Sequence, residues 1–248
     1  MPEGDTIHRT ANRLRSVLAG QSVVRFDAPR AHGKQPKPGT MIDAVEAAGK
    51  HLLIHFAGGT TLRTHMRMTG SWHLYRTGER WKQPAHLARA VIEVDGWTAV
   101  CFAAPVVELE SRPASATSIA HLGPDLTAPG VTDGDIDAAV ARMTDDEIGV
   151  VLLDQRVASG IGNVYKSEVL FLHGVDPFRR ASTIDDDTKR SLMATASKLL
   201  RASVNGAPRP NNVYGRTRRP CRRCGTPIRA QRQGEQARAT YWCPSCQT

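Results

Sequence analysis

The sequence predicts an α+β chain: strands of sandwich or barrel type up to about Glu110, helices through the middle, and a metal-pinned hairpin at the C-terminal end. Three observations carry this. Short apolar segments separated by turn residues fill the first part; apolar residues recur at three- and four-residue steps through the middle; and two Cys-x-x-Cys pairs stand near the end.

The chain has 248 residues and 40% hydrophobic composition, which fits one large domain or two modest ones with a real core. A net charge of +9 and a pI near 9.7 favour a polyanionic partner, either nucleic acid or an anionic membrane surface. No apolar run reaches the roughly 20 residues needed to span a bilayer. No charged-then-apolar leader precedes the first helix. The expectation is a soluble intracellular protein with no membrane partner. Of the five cysteines, Cys101 in "TAVCFAAP" reads as a small buried apolar side chain without a function of its own.

In chain order, Ile7, Ala11, Leu14, Val17 and Leu18 recur at helical spacing, with Asp5 or Thr6 as N-cap and Gly20 as the stop. Strands follow at "SVVRFDA", "HLLIHF", "TTLRTHM", "SWHLY", "AVIEV" and "TAVCF". The last two flank Asp95-Gly96, a strong two-residue hairpin signal. The stretch "SRPASATSIAHLGPDLTAPGVTDGD" has prolines, small polar residues and no periodicity, and is expected to link two domains. Beyond it, "DGDIDAAVARM", "TDDEIGVVLLDQ", "VYKSEVLFLHG" and "TIDDDTKRSLMATASKLLRASVNG" read as helices.

Cys221, Cys224, Cys243 and Cys246 form two matched pairs, each spaced by two residues. That spacing lets both thiolates of a pair enter one tetrahedral shell, and the residues between the pairs suffice for a returning hairpin. The prediction is one Zn2+ ion. Four thiolates leave no open position for water, so the ion is structural and fixes a hairpin too small to fold on apolar area alone. Arginines crowd this segment, and Glu235 is the only acid from Arg209 onward, which suits phosphate binding. In "LLDQRVASGIGNVYKSEVLF", Gly160, Gly162 and Asn163 stand where a tight turn enters a helix. Backbone amides at a helix N-terminus, with Asn163 adding a side-chain donor, suit a phosphate oxygen; a plain connection between helices is the alternative.

Several stretches together resemble one family. "PEG" after the initiator, "GKHLLIHF", "THMRMTGSW", "HLGPDL", the glycine-turn segment, "NVYGR" and the cysteine-paired end occur in the order seen in formamidopyrimidine-DNA glycosylases and endonuclease VIII. The resemblance covers nearly the whole chain. It implies an N-terminal β-sandwich with flanking helices over 1–128, a helical domain with a helix-two-turns-helix motif over 129–210, and a zinc-finger hairpin over 211–248. It implies a bifunctional DNA glycosylase and AP lyase of base-excision repair, acting on damaged double-stranded DNA as a monomer in the bacterial cytoplasm and nucleoid. The family's catalytic proline and glutamate fall on Pro2 and Glu3, its hairpin lysine on Lys50, its phosphate-binding asparagine on Asn163 and its zinc-finger arginine on Arg238.

Removal of Met1 would free the secondary amine of Pro2. Its attack on sugar C1′ expels the base and leaves an iminium, which acidifies the C2′ hydrogen so that β- and δ-elimination can follow. The positive end of the first helix disfavours protonation of that amine. Glu3, one peptide bond away, is expected to protonate the ring oxygen and then shuttle protons. Lys50 reads as a phosphate clamp beside the lesion. An extruded nucleotide leaves a gap, and Met68 falls on the family's intercalating position, with Arg67 placed to contact the opposite base.

Where the family often has a second glutamate, this chain has Thr6, preceded by Asp5. Only a short connector joins "RASVNG" to "NVYGR", where purine-lesion members carry a longer capping loop. Together with "PEG" this favours the endonuclease VIII side and oxidised pyrimidines. Two rival readings are a non-catalytic damaged-DNA-binding protein of the same fold, and a zinc-ribbon RNA-binding module on an unrelated helical protein.

Overall fold

The computed structural model describes residues 2–248, in two compact units that divide between His121 and Leu122. In the first, helix α1 (Gly4–Leu18) buries Ile7, Ala11, Leu14 and Leu18. It starts just ahead of the expected cap. The N-cap is Glu3, whose carbonyl accepts from Thr6 N at 2.9 Å and Ile7 N at 3.1 Å, while the Asp5 carboxylate accepts from Thr6 N at 2.7 Å from within the first turn.

Two antiparallel four-stranded sheets follow. One orders β2 (Ile42–Ala48), β3 (His51–Phe56), β4 (Thr60–His65) and β8 (Val106–Ser111); the other orders β1 (Arg25–Asp27), β6 (Ala88–Val94), β7 (Trp97–Phe102) and β5 (Ser71–Arg76). Their facing residues meet in one apolar cluster that includes Val45, Ile54 and Leu62 from the first sheet and Ile92, Ala99 and Cys101 from the second, so the architecture is the expected sandwich. Cys101 is fully buried and burial pushes its thiol upward, consistent with a purely packing role. Val94 pairs with Trp97 across Asp95-Gly96, as the dipeptide predicts.

The expected linker is not all irregular. Helix α2 (Arg112–Ile119) occupies its start, capped by Ser111, whose hydroxyl accepts from Ala114 N at 3.3 Å, with proline in the first turn. Only Ser115 of this helix is buried, so no apolar stripe marks it in the sequence.

The second unit contains α3 (Asp133–Ala141), α4 (Ile148–Val151), α5 (Asn163–Leu172), α6 (Asp186–Val204) and a hairpin of β9 (Arg229–Gln233) and β10 (Arg238–Trp242). Thr132 and Asp135 form a reciprocal capping box on α3. The predicted helix over "TDDEIGVVLLDQ" shrinks to α4. Leu153 and Asp154 donate to carbonyls three residues back, and the Asp154 carboxylate accepts from Arg156 N at 2.9 Å, which turns the chain out of the helix. The core joins Ile148, Val151, Ile161, Tyr165, Val169, Leu192, Met193 and Leu200.

Candidate functional site

In the N-terminal unit, Pro2 is partly buried and leads directly into Glu3, which has no exposed surface and sits at the positive end of α1. Lys50 lies with Gly49 in the two-residue turn that pairs Ala48 with His51. Beside it stand two imidazoles the sequence reading did not single out. His51 and His65 meet edge to face, with ring centroids 4.8 Å apart. Burial, followed by the charges of Lys50 and Arg67, pushes His65 down to about 4; burial, followed by His65 and Arg63, pushes His51 down to about 3. Both rings are therefore neutral at pH 7 and can accept as well as donate.

His65 uses that freedom locally: its Nδ1 accepts from the backbone N–H of Arg67 at 3.1 Å. Arg67 holds the left-handed conformation, with φ 44°, and Gly70 N closes the turn on Met66 O at 2.8 Å. A Cβ at Gly70 would lie 2.7 Å from Met66 Cα, so the turn requires glycine there. The result separates two methionines by burial. Met66 is a core residue at 2% exposure, whereas Met68 is 60% exposed at the tip of the turn.

In the C-terminal unit, Gln155 braces the glycine turn: its Oε1 accepts from Gly160 N at 3.2 Å and its Nε2 donates to Leu153 O and Ile161 O. Gly160 has φ +100°, and a Cβ there would meet Thr127 Oγ1 at 2.5 Å. Its amide is thus already engaged. Gly162 is the N-cap of α5 and Asn163 its first residue, with the Asn163 amide nitrogen donating to Ala239 O in β10. Next along β10 is Arg238, exposed, its guanidinium braced by Gln236 Oε1 at 3.2 and 3.3 Å. Asn163 and Arg238 are therefore brought together, although they lie far apart in sequence.

Glu168, in the middle of α5, is fully buried and spreads its carboxylate over the "NVYGR" loop, accepting from Asn212 N, Asn212 Nδ2, Val213 N and Tyr214 N at 2.8–2.9 Å. In the sequence its one signal is its place immediately before the apolar run "VLFL".

The four paired cysteines converge. Their sulfurs all lie within 4.8 Å of one another, with Cys224 and Cys243 at 3.5 Å and Cys221 and Cys246 at 4.0 Å. Zn–S bonds of about 2.3 Å imply tetrahedral edges near 3.8 Å. Four thiols reach such a shell with shifts of about an ångström or less, and the cluster can hold a metal ion.

The N-terminal domain model of formamidopyrimidine-DNA glycosylase matches residues 1–105, and the H2TH domain model of the same enzyme matches residues 122–209. The chain is 40% identical to the probable endonuclease 8 2 of Streptomyces coelicolor, covering 100% of this chain and 94% of that one. The chain belongs to the formamidopyrimidine-DNA glycosylase and endonuclease VIII family. Within this family of DNA glycosylases with AP lyase activity it stands on the endonuclease VIII side. A second relative, the DNA-(apurinic or apyrimidinic site) lyase Nei2 of Mycolicibacterium smegmatis, is 36% identical over 100% of this chain and 99% of its own. Among solved structures, a complex of Lactococcus lactis Fpg with DNA containing N7-benzyl-Fapy-dG aligns over 100% of both chains with a TM-score of 0.83 at 21% identity, which bears on the fold. No helix among the described residues is long and apolar enough to cross a membrane.

Proposed function

We propose that this chain is a base-excision repair enzyme that removes oxidised pyrimidines from duplex DNA and cuts the resulting abasic site through a Schiff base on Pro2. The observation that carries the reading is a family match along the whole chain, with proline second and a buried glutamate at the N-cap of the first helix. With Met1 removed, the Pro2 nitrogen attacks C1′ as the C1′–N glycosidic bond breaks, and the proton lost from the proline nitrogen neutralises the departing base. Glu3 protonates the ring oxygen, which opens the sugar to an iminium. Loss of the acidified C2′ proton expels the 3′-phosphate, and a second elimination expels the 5′-phosphate. Water then adds to the remaining iminium, which releases the sugar fragment as an aldehyde and restores the Pro2 amine.

Lys50, Asn163 and Arg238 hold phosphates near the lesion, Met68 fills the gap in the stack, and Arg67 faces the opposite base. The four thiolates hold Zn2+, whose role is to fold the hairpin that presents Arg238. The pyrimidine preference rests on the connector after α6, which is short and tied down at Asn212 by Glu168, and so offers no long loop to close over an extruded purine. The enzyme acts as a monomer.

Borohydride reduction tests the reading. The mature protein should be trapped covalently on abasic-site DNA, with the trap lost in Pro2→Gly and in protein whose intact mass shows Met1 retained. No adduct from correctly processed protein would leave a DNA-binding protein without lyase chemistry. Cleavage of duplexes containing thymine glycol, dihydrouracil or 8-oxoguanine, compared side by side, tests the preference; faster cutting at 8-oxoguanine would reverse it.

A further inference from the structure

Strand β9 is exposed at Arg229, Ala230, Gln231 and Arg232, and its single buried residue is polar: Gln233, at 6% exposure, directly opposite Arg238 in the hairpin register. Its carboxamide is bonded at both ends. Oε1 accepts from Thr240 Oγ1 at 2.7 Å, and Nε2 donates to Glu147 Oε2 and to Pro177 O, each at 2.8 Å. Thr240 in turn accepts from Lys166 Nζ at 2.6 Å, and Lys166 has no exposed surface. The donors point one way along the chain, from the α5 ammonium through Thr240 to the Gln233 oxygen, an arrangement in which each bond polarises the next.

Gly149 gives this carboxamide its room. A Cβ there would lie 2.4 Å from Gln233 Oε1, and that oxygen is not free to swing away while its bonds hold. Gly149 sits in α4 with its own amide on Pro177 O at 2.9 Å, the same carbonyl that Gln233 Nε2 approaches. The hairpin is thus anchored at three neighbouring points beside Arg238: Gln233 across the strand pair, Ala239 through Asn163, and Thr240 through Lys166.

The cysteine cluster lies at the other end of the hairpin, beyond Trp242 and before Arg229. A metal there fixes the base of the two strands and leaves the Arg238 end to other restraints. We propose that Gln233 is a positioning residue for DNA binding: seated against Gly149 and Glu147, it fixes Arg238 beside Asn163 so that both meet the phosphate backbone as one preformed clamp. This deepens the proposed function, since it assumes that Arg238 and Asn163 contact DNA. It differs in making a neutral, buried side chain that touches no DNA responsible for part of the grip.

The test is a double-mutant cycle on the full-length zinc-loaded protein, reading the dissociation constant for a duplex carrying a tetrahydrofuran abasic-site analogue, which cannot be cleaved. Arg238→Ala should weaken binding about tenfold and lower the salt slope by about one charge. Gln233→Ala should weaken it by a comparable factor and lower the slope likewise, with zinc content unchanged. Adding Gln233→Ala to Arg238→Ala should change little more, because the arginine is the group it positions. Gly149→Ala provides a second route: alanine suits the helix, yet its methyl group must displace the carboxamide. It should reproduce Gln233→Ala.

Wild-type affinity in Gln233→Ala and Gly149→Ala would overturn the proposal. So would penalties that multiply in the double mutant, since the glutamine would then support the fold generally. These outcomes leave the borohydride adduct of the wild type intact and so do not touch the proposed chemistry. Wild-type protein that fails to bind the duplex would sink both.

Discussion

Strands β3 and β9 are opposites. In β3, Leu52, Ile54 and Phe56 have no exposed surface and pack among apolar neighbours from both sheets and α1, so the strand is held by non-directional burial that scales with area. In β9 the only buried residue is Gln233, and the apolar cluster at the base of the hairpin is small: Phe171, Val213, Ile228 and two of the cysteines. The hairpin is held by what can be bonded, a four-cysteine cluster able to hold a metal ion at one end and buried amides, a hydroxyl and an ammonium at the other. The difference has a mechanical meaning. An apolar core gives way in proportion to what is removed, whereas a polar network loses its geometry when one member is lost, because the remaining groups are buried without partners.

The largest separation of the two regions should come from the metal proposed for the cysteine cluster. Chelation, or Cys243→Ser, removes an interaction that in small zinc modules contributes about 10 kcal/mol or more to folding. The backbone amides of 221–246 should then lose hydrogen-exchange protection and affinity for damaged duplex should fall at least a hundredfold, while the amides of β3 and β4 keep theirs. Protection in the hairpin that survives complete metal removal would show that the buried polar bonds suffice.

A smaller, sharper contrast sets Glu168 against Leu62. Glu168→Ala strands four N–H groups of residues 212–214 at once and should cost about 3 kcal/mol or more. Glu168→Gln keeps the shape but turns one acceptor into a donor facing those donors, and should retain most of that penalty. Leu62 is fully buried in β4, where Leu62→Ala should cost about 2–5 kcal/mol by leaving a cavity, and Leu62→Met under about 1.5 kcal/mol because volume is conserved. Denaturant midpoints of the four variants check this. Glu168→Gln behaving as mildly as Leu62→Met would erase the distinction.

The same distinction governs what the sequence reveals. Asp95-Gly96, the α1 stripe and the cysteine pairs are local signals, and each appears in the structure where the spacing puts it. β2 escaped notice because "IDAVEAA" is rich in alanine and acid, residues with low strand propensity whose pairing is decided by β3. α2 escaped because an exposed helix has no stripe, although Ser111 and Pro113 were legible as its start. At the site, Pro2, Glu3 and the cysteine pairs are legible because each rests on residues adjacent or three apart in the chain. The pairing of Asn163 with Ala239, or of Lys166 with Thr240, has no local signature, since directional bonds between distant segments leave no periodicity. The neutrality of His65 is equally invisible, being a product of burial among Lys50, Arg67 and Arg63.

That neutrality gives the smallest effect, and it falls on the apolar half. His65 and His51 have folded values near 4 and 3, below the ordinary imidazole value of 6.5. As pH falls below about 6.5 the unfolded chain takes up protons that the folded unit refuses, so the unfolded state binds more and stability declines with acid. The contribution is complete above pH 6.5 and is lost as pH descends through the folded values. Both rings are partly solvent-exposed, so about 1 kcal/mol between pH 6.5 and 5.5 is the expected size. Protonating Nδ1 of His65 also removes the acceptor for Arg67 N–H, the bond that helps hold Arg67 in a left-handed conformation costing about 1–2 kcal/mol. The Met68 turn should therefore loosen before the sandwich does. His65→Asn keeps an acceptor oxygen near the Nδ1 position but cannot titrate. Its urea midpoint should fall less steeply with acid than that of the wild type, and hydrogen exchange at Arg67 should stay slow at pH 5. Equal steepness in the two proteins would mean that His51 alone carries the acid response, and that the turn bearing Met68 is held by Gly70 and the sheet rather than by a neutral imidazole.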